Sequence, residues 1–226
     1  MKFLKILSLC LFLVACGKHP PAPQERLPES IFVLIENGGT VAENERDEAM
    51  ETALQLLQQL TSLDRRKATR NAQVHIVLSA SPNRIAWSGT PGQLLEQAQE
   101  VKKLIVYKPT FSDLVMAFEQ IETTINLSQA RVVRLYWIGS TVHVPFQIAD
   151  SEIEVQVPQV VPHNLALRNF ADRLSVFKIM RVHPDQDRVL QTYLISIDVM
   201  QRARSGALDF SLLGVAQTRS RLKTLL

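Results

Sequence analysis

The stretch IFVLIENGGT, residues 31–40, decides the fold of this 226-residue chain. Its first five residues are all apolar, which is typical of a strand that is buried on both faces of a sheet. The residues ENGGT then supply the polar and glycine positions that make a turn. A long helix is predicted next, from about residue 42 to residue 63, with an apolar stripe and acidic residues in its first turns. A strand, a turn and a helix in this order predict the first unit of an α/β domain.

The rest of the chain repeats this alternation of strands and helices. Further strands are predicted at 74–78, 84–88, 131–138 and 175–182. Further helices are predicted at 91–103, from 110 to about 125, at 185–202 and at 207–225, with a further helical stretch at 164–174. This order predicts a mostly parallel, Rossmann-like sheet with helices on both faces, interrupted by a β-rich insertion at about residues 141–162.

The first sixteen residues, MKFLKILSLCLFLVAC, have the order of an export signal. Lys2 and Lys5 form a basic end, and residues 6–15 are apolar and uncharged. This apolar segment is shorter than the roughly 20 residues that a membrane-spanning helix needs, and it suits a cleavable signal. We therefore predict that residues 1–15 are a signal peptide.

The sequence Leu13-Val14-Ala15-Cys16 resembles the lipobox of bacterial lipoproteins. The resemblance implies that Cys16 receives diacylglycerol, becomes the first mature residue and carries palmitate-type acyl chains that anchor the protein. The alternative is an ordinary signal peptide with an incidental cysteine. By resemblance to lipoprotein sorting, Gly17 and Lys18, with no aspartate after the cysteine, would direct the protein of a Gram-negative cell to the periplasmic face of the outer membrane.

The segment that follows Cys16 is rich in proline. Four prolines and several polar residues in 17–30 predict an extended spacer, so that residues 16–30 form a tether and residues 31–226 a single α/β domain. The formal charge of +3 includes Lys2 and Lys5, which leaves about +1 on the mature chain. This small charge argues against nucleic acid as a partner, because such proteins carry a clustered basic face.

The order of elements over residues 31–140 resembles a von Willebrand factor type A domain. In that family a divalent cation is held by an Asp-x-Ser-x-Ser turn, a loop threonine and a later aspartate. The resemblance implies a site for Mg²⁺ or Mn²⁺ with oxygen ligands from Glu36, Thr40, Thr110 and Asp113.

Departures from the family's motif indicate that this metal site is degenerate. Gly38 replaces one hydroxyl residue, Glu36 replaces an aspartate, and Gly139-Ser140 stand where the later aspartate is expected. The alternative interpretation needs no metal: Glu36 tunes the acidic helix end, the glycines permit the turn, and Thr110 caps a helix.

Motifs for catalysis and nucleotide binding are not found in the sequence. The five histidines are scattered, no Gly-x-Ser-x-Gly elbow precedes a helix, and no phosphate-binding glycine loop follows the first strand. We therefore expect no enzyme activity and no small-molecule substrate. The expected function is that of an envelope lipoprotein that binds other envelope proteins, as in a secretion or conjugation apparatus. A metal-dependent ligand-binding module and an envelope hydrolase are the alternatives.

Overall fold

The computed structural model describes residues 29–108, 112–142 and 160–226, together with the backbone of residues 148–149 and 152–153. Residues 16–28 of the predicted tether and Thr110 lie outside the described residues, as does most of the predicted β-rich insertion. Residues 29 and 30, which are predicted as tether, begin the first strand. The two short pieces at 148–149 and 152–153 pair as an antiparallel two-stranded ribbon, β5 and β6.

The main sheet is mixed and has six strands. These are β1 (Glu29–Ile35), β2 (Gln73–Leu78), β3 (Ile85–Gly89), β4 (Val132–Ile138), β7 (Leu174–Val182) and β8 (Asp209–Gly214). The strand order is β3-β2-β1-β4-β7-β8, and only the β2–β3 pair is antiparallel. The structure therefore confirms an α/β fold with a mostly parallel sheet. The apolar run 31–35 of β1 fits its central place, because a strand with a neighbour on each side and helices above and below has no face in water.

Helices cover both faces of this sheet. They are α1 (Arg46–Thr61), α2 (Pro91–Glu96), α3 (Ala98–Leu104), α4 (Leu114–Leu127), α5 (Pro184–Ser196), α6 (Val199–Arg204) and α7 (Val215–Arg221). Alternate residues of β1 divide the core: Phe32 and Leu34 pack with α4 and α5, whereas Ile31, Val33 and Ile35 pack with α1, α2 and α3. This alternation is the two-residue side-chain period of a strand, here apolar on both faces.

The predicted helix at 207–225 is wrong. Residues Asp209–Gly214 form β8, which pairs with β7 along its length, and only Val215–Arg221 is α-helical. Phe210 and Leu212 pack on one core cluster and Leu213 lies in the other, as strand alternation requires. The backbone hydrogen bonds offered by the open edge of β7 outweigh a weak helical pattern.

Three other predicted helices differ from the structure. The helix predicted at 185–202 is interrupted at Asp198, which has the left-handed φ of 61°. The helix predicted at 91–103 is divided at Gln97 into α2 and α3. The stretch predicted at 164–174 contains two 3₁₀ turns, Ala166–Asn169 and Ala171–Arg173, and its last residue begins β7.

The helix that is predicted to begin at residue 110 begins later in the structure, and the predicted cap Thr110 lies outside the described residues. Helix α4 begins at Leu114, and its N-cap is Asp113, whose Oδ1 accepts a hydrogen bond from the backbone N–H of Met116 at 2.9 Å. The carboxylate of Asp113 satisfies a backbone donor that the first turn of a helix leaves open.

Substitution of Phe118 tests the packing of α4. Phe118 is fully buried, its ring is 5.0 Å from that of Trp137, and Phe118→Ala should lower the free energy of unfolding by about 3–5 kcal/mol. Leu127→Ala is the matched control on the same helix, because Leu127 is 81 % exposed and its truncation leaves no cavity. Urea denaturation measures both, and an equal effect of the two substitutions would contradict the described orientation of α4.

Candidate functional site

The candidate site lies where the connections from β1 and β4 diverge. From β1 the chain continues to β2 on one side, whereas β4 is followed by β7 on the other side. The carboxyl ends of two such strands border a crevice, which is the usual ligand position in open α/β sheets. Glu36 follows β1, Ser79 follows β2, and Gly139 follows β4.

Glu36 fills the space between the ends of β1 and β4 with its own side chain. It is 1 % exposed, and its Oε1 accepts hydrogen bonds from Nε1 of Trp137 at 2.6 Å and from the backbone N–H of Thr141 at 2.8 Å. Its Oε2 accepts a hydrogen bond from the hydroxyl of Ser140 at 3.1 Å. The carboxyl group therefore connects the two central strands and the turn after β4.

Burial changes the acidity of this carboxyl group. Loss of solvation raises the pKa of Glu36 from 4.5 to about 7, and the hydrogen bonds from Trp137, Thr141 and Ser140 only partly oppose that rise. Both protonation states have partners, because the hydroxyl of Ser140 can donate a hydrogen bond to the carboxylate or accept one from a protonated Oε2.

The close approach of Glu36 to β4 requires glycine at position 139. A Cβ atom at Gly139 would lie 2.4 Å from both Cβ and Cδ of Glu36, which is far inside van der Waals contact. Gly139 therefore leaves the space that the buried carboxyl group occupies.

Asn37 joins three connections of the same edge. It is fully buried, and its amide nitrogen donates to the carbonyl of Val106 at 2.7 Å, while its Oδ1 accepts from the backbone N–H of Ala80 at 3.0 Å. Its own backbone N–H donates to the hydroxyl of Ser79 at 3.2 Å, and its carbonyl accepts from the N–H of Lys108 at 2.9 Å. Asn37 therefore fixes the turns after β1, β2 and α3 to one another.

A chain of three buried hydroxyl groups continues from Ser79. The hydroxyl of Ser79 donates to that of Ser112 at 2.9 Å, and Ser112 and Thr40 are 3.1 Å apart between their Oγ and Oγ1 atoms. These hydroxyls satisfy one another, as buried polar groups must.

The predicted metal ligands that the structure describes each have hydrogen-bond partners of their own. Thr40 lies in the hydroxyl chain, Asp113 caps α4, and Glu36 is bound to the β4 side, while Thr110 lies outside the described residues. Within residues 29–108, 112–142 and 160–226, no three His, Cys, Asp or Glu side chains are close enough to hold a metal ion. The predicted role of Glu36 at the acidic start of α1 is wrong, because its carboxyl group faces Trp137. Metal binding itself stays a prediction.

Sequence reasoning missed the residues that complete this site. The sequence places Asn37 in a sheet-end turn that could contact a partner, but it does not indicate the roles of Ser79 and Ser112 or the hydrogen bond from Trp137 to Glu36. A usable signal was present, because Asn37 and Ser79 each come just after a buried strand, where parallel strands deliver polar residues to one edge.

A groove opens beside this edge of the sheet, with a volume of about 600 Å³. We call it the carboxyl-edge groove, and its lining residues are Ser79, Ala80, Ser81, Pro82, Asn83, Arg84, Lys108, Asp113 and Met116. Apolar Pro82 and Met116 stand beside the charged Arg84, Lys108 and Asp113, and Met116 is 42 % exposed. This mixture of exposed apolar and charged side chains is typical of a protein-binding surface.

His75, on β2, is the other buried ionisable group of note. It stacks on Phe32 with ring centroids 4.8 Å apart, and its Nδ1 is 2.8 Å from the hydroxyl of Ser88. Burial lowers the pKa of His75 from 6.5 to about 4, so the ring is neutral near pH 7. The place of His75 in the middle of an apolar strand predicts a packed core residue, and its burial confirms that.

Comparison with known proteins finds likeness in fold alone. No protein-family model and no curated protein sequence matches the chain. Among solved structures, the pilus adhesin SpaC from Lactobacillus rhamnosus GG is similar over 88 % of this chain and 30 % of its own, with 9 % identity and a TM-score of 0.56. Proximal thread matrix protein 1 from the mussel byssus is similar over 88 % of this chain and 47 % of its own, with 12 % identity and a TM-score of 0.52. This chain thus spans less than half the length of either protein.

Gly139→Ala tests the close contact between β4 and Glu36. The added methyl group would overlap the Glu36 side chain, so we expect a loss of about 1–3 kcal/mol in the free energy of unfolding. Gly214→Ala is the control, since its Cβ would meet its nearest atom at 3.8 Å and should be nearly neutral. Both are measured by urea denaturation, and a neutral Gly139→Ala would contradict the described position of Glu36.

The buried carboxyl group should make stability depend on pH. Between pH 4.5 and about 7 the folded protein holds a proton on Glu36 that the unfolded chain has released. The stability that Glu36 contributes therefore falls as pH rises through this window, by about 3 kcal/mol in total. His75 acts oppositely between about pH 4 and 6.5, because there the unfolded chain holds the extra proton and stability rises with pH.

Glu36→Gln isolates the contribution of the Glu36 carboxyl group to the pH dependence of stability. Glutamine has the shape of the protonated acid and does not ionise, so the stability of Glu36→Gln relative to wild type should increase by about 3 kcal/mol between about pH 4.5 and about pH 8. His75→Leu should have the opposite effect: its stability relative to wild type should fall as pH rises. Parallel urea-midpoint profiles for wild type and Glu36→Gln would show that Glu36 ionises normally in the folded protein.

Proposed function

We propose that this chain is a cell-envelope lipoprotein, held on a membrane by acyl chains on Cys16, whose von Willebrand A-like domain binds other envelope proteins. The setting that fits this architecture is a multiprotein assembly such as a secretion or conjugation apparatus. In a Gram-negative cell, the residues after Cys16 favour the periplasmic face of the outer membrane.

The lipid anchor is supported by the sequence of residues 1–16. A basic end, a short apolar segment and Leu-Val-Ala-Cys are arranged as a lipoprotein signal requires. None of the helices in the described part of the chain combines the length and hydrophobicity needed to cross a bilayer.

The domain type is supported by the topology of the sheet. The long α1 directly after β1 and the antiparallel β3 at the sheet edge agree with the order that suggested a von Willebrand A-like domain. A pilus adhesin shares this general architecture.

The carboxyl-edge groove is the observation that carries the protein-binding role. It lies at the edge where Asn37 holds three connections together, so its walls are fixed before a partner arrives, and a preformed surface loses little entropy on binding. The crevice between β1 and β4 is occupied by Glu36, which favours a partner on the outer groove over a small ligand between the strands.

The metal-dependent module remains an alternative with less support. A hard cation needs ionised carboxylate oxygens, whereas Oε1 of Glu36 already accepts two hydrogen bonds and its pKa is raised to about 7.

The lipid anchor is tested by Cys16→Ser. Oxygen at this position cannot replace the thiol that receives the diacylglycerol, so we expect loss of radioactive palmitate from the chain and release from the washed membrane fraction. Cys10→Ser is the matched control within the removed segment and should leave both unchanged. Palmitate labelling that persists in Cys16→Ser would contradict the anchor.

The groove is tested by charge reversal combined with crosslinking in native membranes. Arg84→Glu with Lys108→Glu should lower the yield of crosslinked envelope partners at least tenfold, because close charge pairs across an interface contribute strongly. Lys102→Glu with Lys103→Glu is the control, because both residues lie on α3 and neither lines the groove. Equal yields from the two variants, at equal protein levels, would show that the groove is not the binding surface.

A further inference from the structure

The edge of the sheet opposite the carboxyl-edge groove is strongly basic. We call it the basic edge and define it as the connections at the amino ends of the parallel strands, segments 62–72, 128–131, 166–173, 198–208 and 221–226. Together these segments contain eleven Lys and Arg residues, three Asp residues and no Glu. The mature chain is nearly neutral, so this excess is balanced elsewhere in the molecule.

Strand pairing places these connections at one edge. Ser30 at the start of β1 pairs with Gln73 of β2 and with Val133 of β4, and all three strands run in the same direction. β7 and β8 continue the same parallel arrangement. The final segment joins this edge because Nε2 of Gln59, near the end of α1, donates to the carbonyl of Leu222 at 2.7 Å.

Acidic residues that balance this positive charge lie at the opposite edge of the sheet. Segments 36–48 and 183–187, which follow β1 and β7, contain seven Asp and Glu residues and one Arg. The domain is therefore polarised along the strand direction, with its acidic turns at the carboxyl ends of the strands.

The cations of the basic edge are available to a partner. Six of the exposed basic side chains at this edge are Arg65, Arg66, Arg70, Arg131, Arg204 and Lys223. None of these six takes part in the ion pairs found among the described residues. Asp64, Asp172 and Asp198 are the carboxylates of the five defined segments, and they are too few to neutralise them. Glu29 and Asp209, which begin β1 and β8 at the same edge, are paired with Arg134 and Lys178.

The cations are spread along the edge and do not converge on a pocket. They lie on connections from β2 to β8, four strand spacings apart, which is about 19 Å. A row of this length matches an extended anionic surface better than a single phosphate or carboxylate.

The position of β1 relates the basic edge to the membrane. β1 begins at Glu29, at the basic edge and near the middle of the sheet. Twelve residues separate Glu29 from Cys16, and a chain of this length reaches at most roughly 40 Å. An anchor on Cys16 therefore holds the basic edge, where the tether joins the domain, within this distance of the lipid headgroups.

We propose that the basic edge docks on the anionic phospholipids of the membrane in which the acyl chains are inserted. This inference rests on the proposed lipid anchor at Cys16. Cations attract an anionic membrane within about a Debye length, roughly 8 Å at physiological salt, and the tether keeps the domain at high local concentration there. Docking of this edge directs the carboxyl-edge groove away from the membrane, toward protein partners.

The experiment measures binding of the full chain to vesicles by co-sedimentation. The Cys16→Ser chain removes acylation, and the vesicles contain phosphatidylcholine alone or phosphatidylcholine with phosphatidylglycerol. We expect tighter binding when phosphatidylglycerol is present, and loss of that difference at high salt. Residues 1–15 contain Lys2 and Lys5, which also favour phosphatidylglycerol. All variants share these residues, so the part of the preference that belongs to the basic edge is the part that the variants below change.

Charge-reversal variants locate the binding surface. Arg65→Glu, Arg66→Glu and Arg70→Glu together should weaken binding to phosphatidylglycerol vesicles at least tenfold, since each cation near such a surface contributes roughly fivefold. The matched control is Lys102→Glu, Lys103→Glu and Arg188→Glu, which makes the same change in net charge on α3 and α5. It should change binding less than twofold.

The outcomes separate this inference from the proposed anchor. Equal binding to the two kinds of vesicle, or equal loss in the two triple variants, would overturn docking by the basic edge. Crosslinking to an acidic protein through the basic edge, without preference for phosphatidylglycerol, would overturn it as well. If the wild-type chain carried no palmitate but still preferred phosphatidylglycerol, the proposed anchor would be wrong. The basic edge would then stand as a membrane-binding surface without it.

Discussion

The carboxyl group of Glu36 sits between the ends of the two central strands, and the geometry of the whole carboxyl edge depends on where it points. Its oxygens accept hydrogen bonds from Trp137, Ser140 and Thr141, all of which belong to β4 or the turn after it. Burying a carboxyl group is unfavourable unless such donors surround it, so β1 and β4 are held in one register where the sheet would otherwise open into a crevice. The absence of a side chain at Gly139 makes that arrangement possible.

This constraint determines what the site can do. In open α/β sheets, the crevice at the divergence of two strands usually receives a ligand, but here the protein's own side chain occupies it. Interaction is then displaced outward, to the groove beside Ser79–Arg84, whose walls are fixed by the four hydrogen bonds of Asn37. A site that is closed at its centre and open at its rim agrees with the proposed protein-binding role.

The two edges of the main sheet carry opposite net charges. Acidic turns follow the strands and basic connections precede them, so the sheet axis is also the axis of charge. The proposed membrane docking and the proposed protein binding use opposite edges, and neither competes with the other for surface. Both depend on β1 having its amino end toward the tether.

The sequence by itself determined the fold class, because the apolar run 31–35 and the long stripe of α1 have only one compatible layer arrangement. It also predicts an export signal, since such a signal is a local pattern. It could not determine β8, because a short edge strand forms only when β7 offers its open edge. Only the tertiary structure decided the partners of Glu36, since Trp137 and Thr141 are more than 100 residues away along the chain. Contacts between distant segments follow from strand order and register, and the local sequence carries neither.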